Sequence, residues 1–600
     1  MLNHLTLIVL SITLFQLPDA PAQSLVEVRS AGGKFELLRN GKPYLIHGVG
    51  GSGHLAKLTA AGGNTIRTWD SKNLGNILDL AQQHGLTVCA GLWLGHQRHG
   101  FDYTNREAVT AQLREKLNFV RKHKDHPALL MWGVANEAEG DGDDPDVWKA
   151  INQLAKEINR LDPNHPTMTV IAELGPGESK LHNIEKFCPD VDIVGLNSYG
   201  GIESIGDRYV RANGSKPYII TEHGPIGPWE INSTAWGSPV EWTSTEKANF
   251  YAKGYRANVK RHSGLCLGAF SFLWGHKQET TATWFGMLLP DGTRLAAADA
   301  MSEEWTGQPP NNRCPEIKKI SIQQSAGLKP GTKVAASVSV NDPESDSLKI
   351  KWLVRTDGGT IGAGGDPQED ESTVRNAVKG TGTNAMVTIP AEPGGYRLFA
   401  YIYDGNGGAA VANVPFHVAG RITLKSEMRP AALPYVVYGD DAKSDNVFIP
   451  SGYMGNAEAV AMKLDCRTRP FVGSTCLKAE YKSGQNWGGV LWQSPAEDWD
   501  GKLPGGANLT GATHLEFHAR GARGGEVVNF VFGVLDGSQP YRDTAKGEMK
   551  NVRLDADWTS YSFPLKNLDL RQIKTGFGWS LAGQGKPVTF YLDNIRFVRK

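Results

Sequence analysis

The chain has 600 residues, with 70 Gly, 32 Pro and 16 Trp, and its 63 Lys+Arg balance 63 Asp+Glu. A zero formal charge argues against a polyanion such as nucleic acid as the main partner. Hydrophobic residues at 40% and charged residues at 21% exclude a largely disordered or coiled-coil chain.

The first element is an apolar run, Leu5 to Phe15, too short to span a bilayer. Ala20-Pro21-Ala22 follows it and fits a signal-cleavage site. Residues 1–22 therefore read as a secretory leader, although Lys and Arg are missing ahead of the apolar run. The expected location is secreted or periplasmic, with no membrane association once the leader is gone. Next come short apolar runs that pair as a hairpin, with turns at Gly32-Gly33 and Asn40-Gly41.

Eight strands are then predicted, beginning near Tyr44, Thr65, Thr87, Leu129, Thr167, Ile193, Tyr218 and Gly268. Helical periodicity lies between them, at Leu74–His84, Glu107–His123, Asp146–Arg160, Thr245–Lys260 and Leu295–Trp305. This is the size and alternation of a (β/α)8 TIM barrel, placed at residues 23–308. An open doubly wound sheet is the competitor, but no Gly-rich phosphate loop opens the first helix. Gly48–Gly53 is rich in glycine yet lacks a following Lys-Ser or Lys-Thr pair.

Gly307-Gln-Pro-Pro-Asn-Asn312 reads as a linker. Two all-β domains follow it: an immunoglobulin-like sandwich at 309–420 and a jelly-roll sandwich at 421–600. None of the six cysteines forms a CxxC, so no zinc site is expected. Cys466 and Cys476 flank a short loop and could form a disulfide in an exported protein.

Chemistry in a barrel of this class gathers at the C-terminal ends of the strands. The second predicted strand ends in Arg67-Thr68-Trp69, the third in Trp93-Leu94-Gly95-His96 and the fourth in Asn136-Glu137. The sixth ends in Asn197-Ser198-Tyr199, the seventh in Thr221-Glu222-His223-Gly224 and the eighth in Trp274. Two carboxylates at strand ends are what acetal hydrolysis needs: one protonates the departing oxygen, and the other attacks the anomeric carbon.

These motifs resemble the signatures of the clan A glycoside hydrolases. The nearest likeness is to the catalytic barrel of glycoside hydrolase family 2, over about residues 35–306. Gly41-Lys42-Pro43-Tyr44 and Asn64-Thr65-Ile66-Arg67-Thr68-Trp69 belong to the same likeness. It implies Glu137 as general acid/base, Glu222 as nucleophile and Asn136 as a hydrogen-bond partner of the sugar 2-hydroxyl. Arg67 and Tyr199 would hold the nucleophile, and Trp274 would floor the reacting subsite. Trp69 and His96 are candidate pocket walls. A retaining mechanism would set the two carboxyls about 5–5.5 Å apart. The downstream domains resemble bacterial immunoglobulin-like modules and carbohydrate-binding jelly rolls, the latter through Phe590-Tyr591-Leu592-Asp593-Asn594-Ile595.

The expected function is that of a secreted retaining β-glycoside hydrolase acting on a polysaccharide or oligosaccharide, β-glucan first. A transglycosylase using the same residues and a non-catalytic glycan-binding protein are the alternatives. No cofactor and no metal are expected, and oligomeric state is open. Glu139 to Asp144 read as a solvated acidic loop, and Glu173 as a carboxylate without supporting neighbours. Of Trp487, Trp492, Trp499, Trp558 and Trp579, one or two are expected to meet a glycan.

Overall fold

The computed structural model describes residues 24–357, 368, 371–419, 428–440, 446–499, 501, 503–535 and 541–600. The predicted leader and its cleavage site lie outside the described residues. None of the described helices is long and apolar enough to cross a membrane.

Strands Val26–Ala31 and Lys34–Arg39 form the predicted hairpin, extended by Lys42–Pro43. Its second turn places Asn40 and Gly41 at φ 51° and 73°, a left-handed pair that Asn-Gly adopts at little cost. The hairpin closes the lower end of the barrel. Val26 and Leu37 pack with Ile46, Met131, Met168, Ile193, Ile219 and Phe270, which fill that end.

Eight parallel strands close into a barrel: Ile46–Gly50, Thr65–Arg67, Thr87–Leu92, Leu129–Val134, Thr167–Ala172, Ile193–Asn197, Tyr218–His223 and Cys266–Ser271. Each pairs with its sequence neighbours, and the first pairs with the last. The surrounding helices bury one apolar stripe each. Pro145–Leu161 turns Val147, Trp148, Ile151, Leu154 and Ile158 inward, each worth about 1.5–3 kcal/mol of burial. The predicted helix from Thr245 is α-helical only over Ser244–Tyr255 and ends in a π-turn at Arg256–Lys260. Helices Leu55–Ala60, Ser179–Phe187 and Ile202–Arg211 complete the ring.

Beyond the barrel lie two β-sandwiches. In the first, one sheet runs Gly408–Val418, Gly394–Tyr403, Lys349–Thr356, Thr373–Val374. Its outer edge is joined in parallel by Arg294–Leu295, a segment that precedes the last barrel helix, Ala296–Thr306. The sandwich also docks on the barrel through polar contacts. Arg397 Nη2 donates to Pro239 O at 2.7 Å, and Ser244 Oγ accepts from Val411 N at 3.0 Å.

The C-terminal sandwich has two antiparallel sheets around a core that contains Trp492 and Trp579. One of them runs Ile449–Gly455, Trp487–Gln493, Thr575–Ala582, Val527–Phe532, Gly547–Arg553. All six cysteines are free thiols; Cys466 and Cys476 face one another across a strand pair without a bond.

Candidate active site

The strand ends meet around a cavity of about 620 Å³ at the C-terminal mouth of the barrel, lined by Glu137, Glu222, Trp69, His96, Asn136 and Tyr199 among others. Arg67 stands beneath them. Its Nη1 donates to Glu222 Oε1 at 2.8 Å and its Nη2 to Asn136 Oδ1 at 2.6 Å. A planar guanidinium spans two acceptors in this way, whereas an ammonium offers no such fork. Trp69 Nε1 donates to the same Glu222 oxygen at 2.6 Å, and the Tyr199 hydroxyl donates to Oε2 at 2.8 Å. Glu222 is thus a carboxylate held by a cation and two neutral donors.

Glu137 has different surroundings. Its Oε1 accepts from Asn197 Nδ2 at 2.7 Å. The Asn197 amide is oriented by the Thr221 hydroxyl, which donates to its Oδ1 at 2.7 Å. Burial, and then the negative charge of Glu222, push the Glu137 carboxyl up to about 7, against the pull of the Asn197 hydrogen bond. The two carboxyls on one cavity therefore have different surroundings, Glu222 fixed by Arg67, Trp69 and Tyr199 and Glu137 pushed toward its protonated form, and environment of this kind is what divides the roles of a carboxyl pair. Tyr199 is pushed well above its ordinary value by burial and by both carboxylates, so it remains a neutral donor.

The backbone around Glu137 is itself unusual. Ala135 and Glu137 sit at φ 71° and 49°, a left-handed region that L-residues with a Cβ rarely adopt. The Glu137 N–H donates to Val170 O on the neighbouring strand at 3.0 Å, which pins the conformation. Such strain persists where surrounding structure over-determines it. Asn136 Oδ1 takes both Arg67 and Asn197 Nδ2, the latter at 3.2 Å, so the Asn136 Nδ2 donors are the ones offered to a ligand.

Trp274 does not line the cavity. It is buried in the core between strands and helices, with its Nε1 donating to His54 O at 3.4 Å. Its backbone N–H bonds Gly50 O on the first strand, which carries the side chain toward the helix that begins at Leu55. Phe272, two residues earlier, lines the cavity instead, edge-on to Trp69 and Tyr199 at 5.7 and 6.0 Å. His96 is a cavity wall, stacked between Trp93 at 4.4 Å and His99 at 5.5 Å. His223, the buried last residue of the seventh strand, is hydrogen-bonded with Ser271 Oγ at 3.1 Å, and burial holds its imidazole down at about 3.

Glu139 is not a solvated loop residue. It is buried, paired with Lys180 at 2.8 Å, and accepts from Ala172 N at 3.1 Å. Glu173 also lines the cavity and does have neighbours, namely Arg208 at 2.5 Å and the Ser198 hydroxyl. Sequence reasoning missed Asn197, Trp229, Glu230, Lys277 and Glu279, all of which line the cavity. Asn197 alone carried a sequence signal, as the last residue of a predicted strand. Among the described residues, one group of three has metal-ligand chemistry. It lies in the first sandwich, where oxygens of Asp342, Asp346 and Asp404 come within 4.8 Å of one another.

Residues 54–226 match the family described as "Glycosyl hydrolases family 2, TIM barrel domain", and residues 437–599 match "Carbohydrate binding domain 30". Curated relatives include a β-glucuronidase of Pongo abelii, 28% identical over 183 residues, which are 27% of this chain and 26% of the relative. A β-glucuronidase of Bacteroides fragilis is 32% identical over 120 residues, covering 19% and 16% of the two chains. The chain thus aligns with about a quarter or less of these relatives' length. A solved β-glucuronidase of Bifidobacterium dentium superposes with a TM-score of 0.38 at 21% identity, over 48% of this chain and 50% of its own. The family 2 match thus falls within the closed barrel, and the carbohydrate binding domain 30 match within the C-terminal sandwich.

Proposed function

We propose that the chain is a secreted retaining β-glycoside hydrolase that acts on a neutral β-linked glycan, β-glucan first. The observation that carries the reading is the contrast between two carboxyls on one cavity. Glu222 is fixed by Arg67, Trp69 and Tyr199, while Glu137 meets a neutral amide and is pushed to about 7.

In the first step Glu137 protonates the glycosidic oxygen while Glu222 attacks the anomeric carbon, giving a glycosyl-enzyme and a freed alcohol. Oε1 of Glu222 already accepts two hydrogen bonds and Oε2 one, so Oε2 is the attacking atom. Once Glu222 is esterified, its charge no longer opposes ionisation of Glu137. Glu137 then becomes the stronger acid it must be to act as base, taking a proton from water in the second step. The rate should therefore fall as pH rises through about 7, where free Glu137 loses its proton.

A neutral sugar is favoured by the charge of the cavity. Six glutamates line it, and the cations that meet them, Arg67, Lys180, Arg208 and Lys277, are each already paired with one of them, Glu222, Glu139, Glu173 and Glu279 in turn. A uronate, the sugar named in the β-glucuronidase relatives, would bring a further negative charge to this wall. The test is a panel of β-glucans, β-mannan and β-galactan, with aryl β-glucoside and aryl β-glucuronide beside them. Wild type should cleave the neutral members, and Glu137→Gln and Glu222→Gln should be at least a thousandfold slower. A preference for the glucuronide would overturn the substrate class. Undiminished turnover in both variants would overturn the site.

A further inference from the structure

A second cavity, of about 510 Å³, lies between the barrel and the C-terminal sandwich. Its barrel wall is the loop after the third strand, residues 97–105, and its other wall is the sheet that carries Trp487, Asn529, Glu548 and Ser580. Arg98 lines this cavity and the catalytic one, so the two lie on either side of a single side chain.

The juncture is built rather than incidental. Gly100 faces Ala582 so closely that a Cβ on the glycine would come within 2.3 Å of the alanine methyl. A Cβ on Gly585 would similarly sit 3.0 Å from Ala108 N. In the amide orientation that satisfies both groups, Gln485 donates to Glu115 Oε2 at 2.7 Å and accepts from Gln112 N at 3.0 Å. Gln112 in turn accepts from Gly95 N at 2.6 Å, in the loop between Trp93 and His96. The sandwich therefore braces the same loop that walls the catalytic cavity.

The chemistry of the second cavity suits a neutral sugar. Trp487 keeps 36% of its surface exposed there, an apolar face of the kind pyranose C–H groups stack on. Asn529 and Ser580 stand together, amide to hydroxyl at 3.4 Å, and the Lys550 ammonium is balanced by Glu548 at 3.3 Å. We infer that one β-linked oligosaccharide runs from the catalytic cavity across Arg98 onto this sheet. The C-terminal sandwich then supplies distal subsites of the catalytic cleft and is not a separate anchor. This rests on the proposed glycosidase reading for the sugar class, but the binding it predicts is independent of turnover.

The test is calorimetric titration of the full chain carrying Glu222→Gln with β-1,3- and β-1,4-linked glucotriose and glucohexaose, beside hydrolysis rates of wild type on the same sugars. One hexaose should bind per chain, at least tenfold tighter than the triose. Adding Trp487→Ala should remove about tenfold of the hexaose affinity, the scale of one aromatic contact, and leave the triose at the catalytic cavity unaffected. A circular-dichroism melt verifies that this half-exposed site tolerates the change. Two hexaoses per chain, or a hexaose affinity indifferent to Trp487→Ala, would overturn the continuous cleft even if wild type hydrolyses both sugars. Length-dependent binding without any hydrolysis would leave the cleft standing and overturn the glycosidase reading alone.

Discussion

Replacing Glu137 with Gln should change how the stability of the barrel depends on pH, with a size set by the surroundings of that carboxyl. The unfolded chain releases the Glu137 proton near 4.5, and the folded chain releases it near 7. Between those values the folded state holds the extra proton, so its stability falls as pH rises; the loss is complete above about 7 and absent below about 4.5. At about 1.4 kcal/mol per pH unit the full loss is roughly 3 kcal/mol. Gln keeps the acceptor for Asn197 and has no proton to lose. Scanning calorimetry of both proteins from pH 4.5 to 8.5 should find the variant gaining on wild type across that window. The gain in the barrel transition should reach about 6 °C, at roughly 2 °C per kcal/mol for a domain of this size. Because other groups titrate in both proteins, only the difference matters. A difference that stays flat across the window would refute the claim that burial and the Glu222 charge hold Glu137 protonated.

Arg67→Lys should lower kcat/KM at least a hundredfold, because one ammonium cannot serve Glu222 and Asn136 in the fork geometry; steady-state kinetics checks this, and near-wild-type rates would reject it. Lys180→Met should destabilise the barrel by about 3–5 kcal/mol by stranding buried Glu139. Denaturant titration should find much of that loss restored in the double variant Lys180→Met/Glu139→Met. Trp274→Phe should cost about 1–3 kcal/mol of stability and leave KM within about twofold. A raised KM without a lowered melting temperature would put Trp274 back in the sugar subsite.

The barrel was legible because each strand is a short apolar run and helices such as Pro145–Leu161 carry a clear 3.6-residue stripe. The predicted starts at Thr65, Thr87, Leu129, Thr167, Ile193 and Tyr218 coincide with the strands observed. Of the three unpredicted helices, Leu55–Ala60 is only six residues long, whereas Ile202–Arg211 buries Ile202, Ile205, Gly206 and Tyr209 on one stripe and was as readable as those predicted. In the site, residues fixed by position at a strand end were readable: Arg67, Asn136, Glu137, Tyr199 and Glu222 all converge. Trp274 was misplaced because the order of residues past the eighth strand does not reveal which ring turns inward, and Phe272 does. Glu139 was misread because its partner Lys180 is 41 residues away, a separation at which local composition says nothing of pairing.

The two-residue strand Arg294–Leu295 has a practical consequence. Sequence composition invites a cut near Gly307, as if beads on a string were being parted. Such a cut would tear a sheet: Gly408 and Ala409 would lose their neighbour, and a bare row of peptide groups would be left to find another. Any excision of the sandwich alone should therefore clump unless that edge is masked, and grafting it onto a foreign enzyme requires a donor that brings its own substitute rung.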